Sequence, residues 1–296
     1  MTEVQGRTAS KHRRGPAKRS ILLPVVLILA GVLVLLYPVV ATQWNNHRQQ
    51  GIAAEYARIQ EETPPSVLQE QFEAATRYNQ TKGEGPILDP WLSRITPDNA
   101  EWQEYMSYLG GDGVMARLVV PSAKIALPVY HGTSSSTLDK GVGHLFGTDL
   151  PVGGSGTHAV LTAHTGLTSA TLFDNLDDVA VGDSIYIQVS GQDLKYQVDN
   201  IEIVLPEETD SLAPVAGEDR LTLITCTPYG INTHRLLVHS LRVPMDSAEG
   251  VPAAALQWQW WMWALLAAVA ATLLVLLWWV IRERRKVKDC EPNGLS

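Results

Sequence analysis

Cys226 ends the run Thr222-Leu223-Ile224-Thr225-Cys226 and is followed by Thr227-Pro228-Tyr229-Gly230. The end of a strand holds a side chain rigidly while leaving it accessible, which suits a nucleophile. The reactive form is the thiolate, and near neutral pH a thiol needs a nearby base or cation to supply it. His164 is the best-placed base, because it follows the apolar run HAVLTA and precedes Thr165-Gly166, where a strand gives way to a loop. His158 sits at the other end of that run, His234 and His239 lie along the last apolar segment, and His131 and His144 fall in turn regions. For any one of them alone, a packed or solvated imidazole is the commoner fate. Arg235 follows Cys226 after the intervening segment 227–234. Two strands joined by such a link run antiparallel and bring Cys226 and Arg235 to adjacent ends. A guanidinium held there would stabilise a developing oxyanion. Spacing alone leaves a surface salt bridge open.

Those residues need strands to hold them. From Val114 the chain breaks into short apolar runs separated by turns: ARLVV, IALPVY, HAVLTA, SIYIQV, KYQVDNIEIV, RLTLIT and HRLLVHSLRV. Strands at this spacing predict a closed barrel or a sandwich. Upstream, residues 45–80 read as two short helices broken at Pro64-Pro65, the first with Ile52, Tyr56 and Ile59 on one stripe. Ser66 and Gln69 match a capping box at the start of the second. Residues 81–97 are rich in Gly and Pro and read as a loop. Asp98 and Glu101 form another capping-box pattern, opening a helix that ends at Gly110-Gly111.

Two stretches carry no charge at all, 21 residues from Ile21 to Ala41 and 24 from Trp258 to Ile281. A membrane-spanning helix needs about 20 such residues, so both qualify and a plain cytosolic enzyme is excluded. Six of the nine Trp lie at the two ends of the second stretch, as interfacial aromatic belts do. Residues 1–44 hold six Lys/Arg against one acid, and residues 282–296 hold five against three. The segment between keeps 12 basic and 27 acidic residues, a net charge of −15. The positive flanks predict both termini in the cytoplasm and the middle outside, in contact with the lipid bilayer at each end. An acidic exposed domain argues against nucleic acid. The first stretch also reads as a secretory signal with a cleavage site at Val39-Val40-Ala41, but its length favours an uncleaved anchor. Cys226 and Cys290 then fall on opposite sides of the membrane and cannot pair. The cysteine count alone leaves a buried, inert Cys226 as open as a reactive one.

The run TLITC ending at Cys226, the downstream Arg235 in CTPYGINTHRLLV, and LTAHTGLTSATLFDNL around His164 resemble the sortases, exported cysteine transpeptidases of Gram-positive bacteria. The resemblance spans about residues 113–243 and includes GVMARLVVPSAKIALPVYHGTS and GVGHLFGTDLPVGG. Asp89-Pro90-Trp91 resembles the lid motif of the class C, pilus-assembling type, which also commonly carries a C-terminal span. The resemblance implies a mainly β fold, an eight-stranded barrel with N-terminal helices and a lid loop. It implies Cys226 as nucleophile, His164 as general acid/base and Arg235 as oxyanion stabiliser. The partners implied are pilin subunits bearing an LPXTG-like sorting signal and an acceptor Lys, or a cell-wall precursor. The lid would place Trp91 over Cys226 and pair Asp89 with Arg235, closing the groove until the loop swings away. The chain then divides into a basic N-terminus (1–20), a span (21–41), helices and lid (45–112), the catalytic barrel (113–245), a linker (246–257), a second span (258–281) and a basic tail (282–296).

The segment around His164 departs from the family's G-H-R-G, reading Ala163-His164-Thr165-Gly166. No acidic cluster compels a calcium site and no CxxC or HExxH marks a zinc site, so no cofactor or metal is expected. A papain-like protease would place its Cys before its His, the reverse of the order here. A sortase that anchors single proteins to peptidoglycan shares the chemistry but differs in the attacking amine. A non-enzymatic two-pass scaffold would not need Cys226.

Overall fold

The helix that begins at Leu22 within the first uncharged run does not stop where the run's apolar character does. It continues as one helix, α1 (Leu22–Glu62), so the first stretch and the first of the two short helices are a single element. Pro64 ends it, and α2 (Pro65–Thr81) restarts at once. Its N-terminus is set by Pro65 in the first turn and has no side-chain cap, so Ser66 does not form the expected capping box. Pro fits that position because the first turn's N–H groups have no helical partner anyway. The short helix α3 (Ala100–Met106) follows; the chain then turns through Leu109 and Gly110, both left-handed.

The remaining elements are β1 (Ala116–Val120), β2 (Ile125–His131), the single turn α4 (Ser135–Leu138), β3 (Val142–His144), β4 (Thr157–Thr162), β5 (Ser184–Val189), β6 (Gln192–Val204), β7 (Asp219–Thr227), β8 (His234–Val243) and α5 (Trp260–Asp289). The structure is a computed structural model describing residues 22–82, 100–110, 113–246, 249–253, 255 and 257–289. Asp89-Pro90-Trp91, Asp98 and Cys290 lie outside the described residues.

The eight strands close into a barrel in the order β1-β2-β3-β4-β7-β8-β6-β5. Closure leaves no unpaired edge. Only β2–β3 and β4–β7 pair in parallel. Alternate residues fill the interior, among them Leu118, Leu127, Ala159, Leu161, Ile185, Ile187, Leu221, Leu223, Leu236 and Val238. Burying one such Leu or Ile side chain contributes about 1.5–3 kcal/mol. A second, smaller apolar cluster of Leu145, Val160, Leu212, Ile224 and Leu237 lies on the outer face, where the β6–β7 connection crosses the wall.

Contacts divide the chain into two units, one of Met1–Tyr37 with Trp260–Ser296 and one of Pro38–Gln259. Two helices, α1 (Leu22–Glu62) and the Trp260–Arg285 part of α5, are long and apolar enough to cross a membrane. At the charged end of α5, the Arg282 guanidinium lies 5.2 Å from the Trp278 ring centre. The second unit holds α2, α3 and the barrel.

Four histidines in the barrel unit, His131, His144, His158 and His239, are packed away from water, and burial holds two of them far below the ordinary imidazole value. His144 meets Tyr105 Oη at 2.8 Å and the Asp149 carbonyl at 2.7 Å, and burial pushes its ring down to about 3. His158 meets Thr222 Oγ1 at 2.6 Å and is pushed down to about 4 by burial. Their stabilising contribution is complete above the ordinary value of 6.5 and is lost as pH falls through the depressed range. Asp174, pushed up to about 6 by burial, works the other way, because the fold takes up its proton before the unfolded chain does. Between pH 6 and 4 the unfolded chain holds protons on His144, His158 and His164 that the fold refuses, against those the fold holds on Asp174 and Asp219. Stability should therefore fall on acidification through this range. Urea midpoints of the detergent-solubilised protein from pH 7 to 4.5 test this; a flat or rising midpoint would contradict it.

Candidate active site

The register of three adjacent strands decides which side chains meet. β4 pairs with β7 through Val160↔Thr222 and Thr162↔Ile224. β7 pairs with β8 through Thr222↔His239, Ile224↔Leu237 and Cys226↔Arg235. Successive side chains on a strand point to opposite faces. Since Leu221, Leu223 and Val238 face the interior, Thr222, Ile224, Cys226, Leu237 and Arg235 share the outer face. The rows across the wall are Val160–Thr222–His239, then Thr162–Ile224–Leu237. Pairing runs one residue past the end of β4: Ala163 N donates to Ile224 O at 3.2 Å, and Thr225 Oγ1 donates to Ala163 O at 2.9 Å. The next row is therefore His164–Cys226–Arg235. Neighbouring strands lie about 4.8 Å apart, and directly opposed residues of an antiparallel pair have Cβ atoms about 5 Å apart. All three side chains are half-buried, and Cys226 is a reduced thiol.

The other candidate histidines stand elsewhere. His158 and His239 are joined through Thr222 Oγ1, at 2.6 and 2.8 Å, and His239 Nε2 reaches Glu202 at 3.1 Å. They form a buried polar row two steps along the wall from Cys226. His131 and His144 pack on the Tyr105 ring, with centroids 4.8 and 5.6 Å away. His234 turns its Nδ1 to Thr233 Oγ1.

Burial pushes the His164 imidazole below its usual value, against the opposing influence of the Asp139 carboxylate. The ring is therefore neutral near pH 7, the form that accepts a proton. The loop behind it is closed by its own backbone: Phe173 N donates to His164 O at 3.1 Å. Asp174 Oδ1 accepts from Gly166 N at 2.7 Å and from Thr165 Oγ1 at 3.2 Å. Gly166 has φ +78°, and a Cβ there would sit 3.4 Å from Gly230 N. That conformation favours glycine and lets the His164 loop lie against the β7–β8 loop. Arg235 Nη1 reaches the carbonyls of Asn232 and His234 at 3.4 and 3.3 Å, which holds the guanidinium at the strand end.

A thiol with a neutral imidazole on one side and a fixed guanidinium on the other can carry out acyl transfer. Thr225 and Asp174, which set this geometry, escaped the sequence reading. The visible signal for Asp174 was a lone acid in the apolar run TLFDNL. Among the described residues, no cluster of three or more His, Cys, Asp or Glu is set to hold a metal ion.

The sortase domain family matches residues 118–243. The crystal structure of sortase C-1 from Actinomyces oris is 55% identical, with a TM-score of 0.59, covering 61% of this chain and 99% of that one. Sortase A from Corynebacterium diphtheriae is 46% identical, with a TM-score of 0.62, over 69% of this chain and 97% of that one. Streptococcus pneumoniae sortase C is 39% identical, with a TM-score of 0.60, over 66% of this chain and 97% of that one.

Proposed function

Because the chain belongs to the sortase family and is a cysteine transpeptidase, we propose that it is a class C enzyme that links pilin subunits at the cell surface. The observation that carries this reading is the row His164–Cys226–Arg235 across β4, β7 and β8. Likeness to sortases C of A. oris and S. pneumoniae supports the class.

In this reading His164 takes the thiol proton, and the Cys226 sulfur attacks the Thr carbonyl carbon of an LPXTG-like sorting signal. Arg235 stabilises the tetrahedral oxyanion. The C–N bond to Gly breaks, His164 returns the proton to the departing amine, and a thioester remains on Cys226. A Lys amine of the next pilin attacks that carbonyl, its proton passes to His164, the C–S bond breaks, and an isopeptide bond forms. One amide is exchanged for another through a thioester, so no ATP is consumed. Asp89, Pro90 and Trp91 are assigned the lid role on the likeness of their motif to that of class C sortases alone. The basic ends lie in the cytoplasm, the apolar segments of α1 and α5 cross the bilayer, and the barrel stands outside, where no ATP is supplied.

Incubation with a sorting-signal peptide should add the peptide's acyl mass to Cys226 as a hydroxylamine-labile thioester. With a purified pilin, products of high mass should form and should vanish when the pilin's acceptor Lys is replaced. The rival reading is a sortase that anchors single proteins to peptidoglycan, with the same thioester and a different amine acceptor. High-mass products that persist without the acceptor Lys would remove the polymerase reading, and transfer only to a stem-peptide amine would favour the rival.

A further inference from the structure

Four hydrogen bonds run from one short stretch of α1 to the loop that follows His164. Thr42 Oγ1 donates to Thr168 O at 3.0 Å and Asn45 Nδ2 to Ser169 O at 2.8 Å. Asn46 makes two: its Nδ2 donates to Thr171 Oγ1 at 2.7 Å, and its Oδ1 accepts from Thr171 N at 3.0 Å. Asn46 is 5% exposed and Thr171 is fully buried, so water does not replace either bond if it is unmade.

The bonding continues from Thr171 to His164. Thr171 O accepts from Asp174 N at 2.8 Å, and Asp174 Oδ1 in turn holds Thr165 Oγ1 and Gly166 N. The Phe173 N–H closes on the carbonyl of His164 itself. Between them Leu172 is buried at φ +43°, a left-handed conformation that a branched residue keeps only when its surroundings fix it. The loop is thus held in one shape from both ends, and its outer support is a helix that continues without a break from the first apolar stretch.

We propose that Asn46 is a positioning residue for His164, acting through Thr171 and Asp174, so that the anchoring helix is part of the catalytic apparatus as well as a tether. This rests on the reading of His164 as the acid/base. Asn46 touches no reacting atom; it sets where the imidazole stands relative to the Cys226 sulfur.

The test uses the whole protein in detergent, with two readouts. One is kcat and KM for a sorting-signal peptide. The other is the pH profile of Cys226 alkylation by iodoacetamide, with His164→Ala defining the profile of an unassisted thiol. Asn46→Ala should lower kcat about tenfold with KM changed less than about twofold, since small displacements of a catalytic group act on the chemical step. Its alkylation profile should move toward that of His164→Ala. Asn46→Asp keeps oxygens that accept from Thr171 N–H and from its hydroxyl, and should recover most of the loss. Thr171→Val keeps the backbone N–H and packing, and should fall between; it decides the question if Asn46→Ala does not fold.

Parent-like kcat and profile in Asn46→Ala would overturn the proposal. So would a lower kcat with a parent-like profile that Asn46→Asp does not restore, the pattern of mere structural damage. If the parent forms no thioester yet its alkylation depends on His164, the transpeptidase reading fails while the alkylation profile still decides on Asn46. If His164→Ala leaves the parent profile unchanged, both fall.

Discussion

Replacing Cys226 with Ala should lower sorting-signal cleavage and transfer on the order of 10⁴-fold or more, because removing the nucleophile from a cooperating set removes nearly all the catalysis the set provides. Cys226→Ser should be nearly as inactive, since an imidazole that is a weaker base than usual does not deprotonate an alcohol efficiently. His164→Ala should cost on the order of 10³-fold, in the range usual for a general acid/base. The pH profile carries a sign. The working form of His164 as a base is neutral, and burial holds its value below the ordinary 6.5. The acid limb of kcat/KM should therefore fall below pH 6.5, and an acid limb at or above that value would contradict the assignment. Alkylation also tests the proposed lid role of Asp89-Pro90-Trp91: Trp91→Ala should speed labelling of Cys226 by a bulky thiol reagent. Equal labelling would mean that the loop does not cover the sulfur.

Much of the wall that carries the candidate site was legible from local pattern. Alternation in SIYIQV and in the last strand reports one face packed and one exposed, and TLITC followed by Arg235 reports a hairpin with a thiol at its end. The route by which His164 arrives was not legible. β4 lies beside β7 across two intervening strands, a pairing set by barrel closure rather than by any residue near either strand. The continuity of α1 was hidden as well, because the change from an apolar to a polar surface at Thr42 resembles the end of an element in hydropathy. Backbone hydrogen bonding carries the helix through it. The Ser66 capping box failed because Pro65 already supplies a helix start. Asn46 left no trace, because an amide that pairs with a residue 125 positions away looks locally like a solvent-facing polar side chain.

Arg235→Ala should reduce kcat about 10²–10³-fold while leaving KM little changed, because in the proposed oxyanion role the charge that the guanidinium meets exists only in the tetrahedral intermediates. Arg235 is the direct cross-strand partner of Cys226, so its reach to the oxygen is fixed by β7–β8 pairing and by the Asn232 and His234 carbonyls that hold Nη1. Lysine keeps the charge and loses the fork that makes those contacts, so Arg235→Lys should recover only part of the rate. Two other roles give different signatures. A guanidinium that binds the sorting signal in its ground state would raise KM and leave kcat intact. One that binds the incoming amine donor would slow only the second step, and thioester on Cys226 would accumulate during turnover. Oxyanion stabilisation acts on the tetrahedral species of both steps. The steady-state thioester fraction, read by intact mass, should therefore stay near that of the parent while the overall rate collapses.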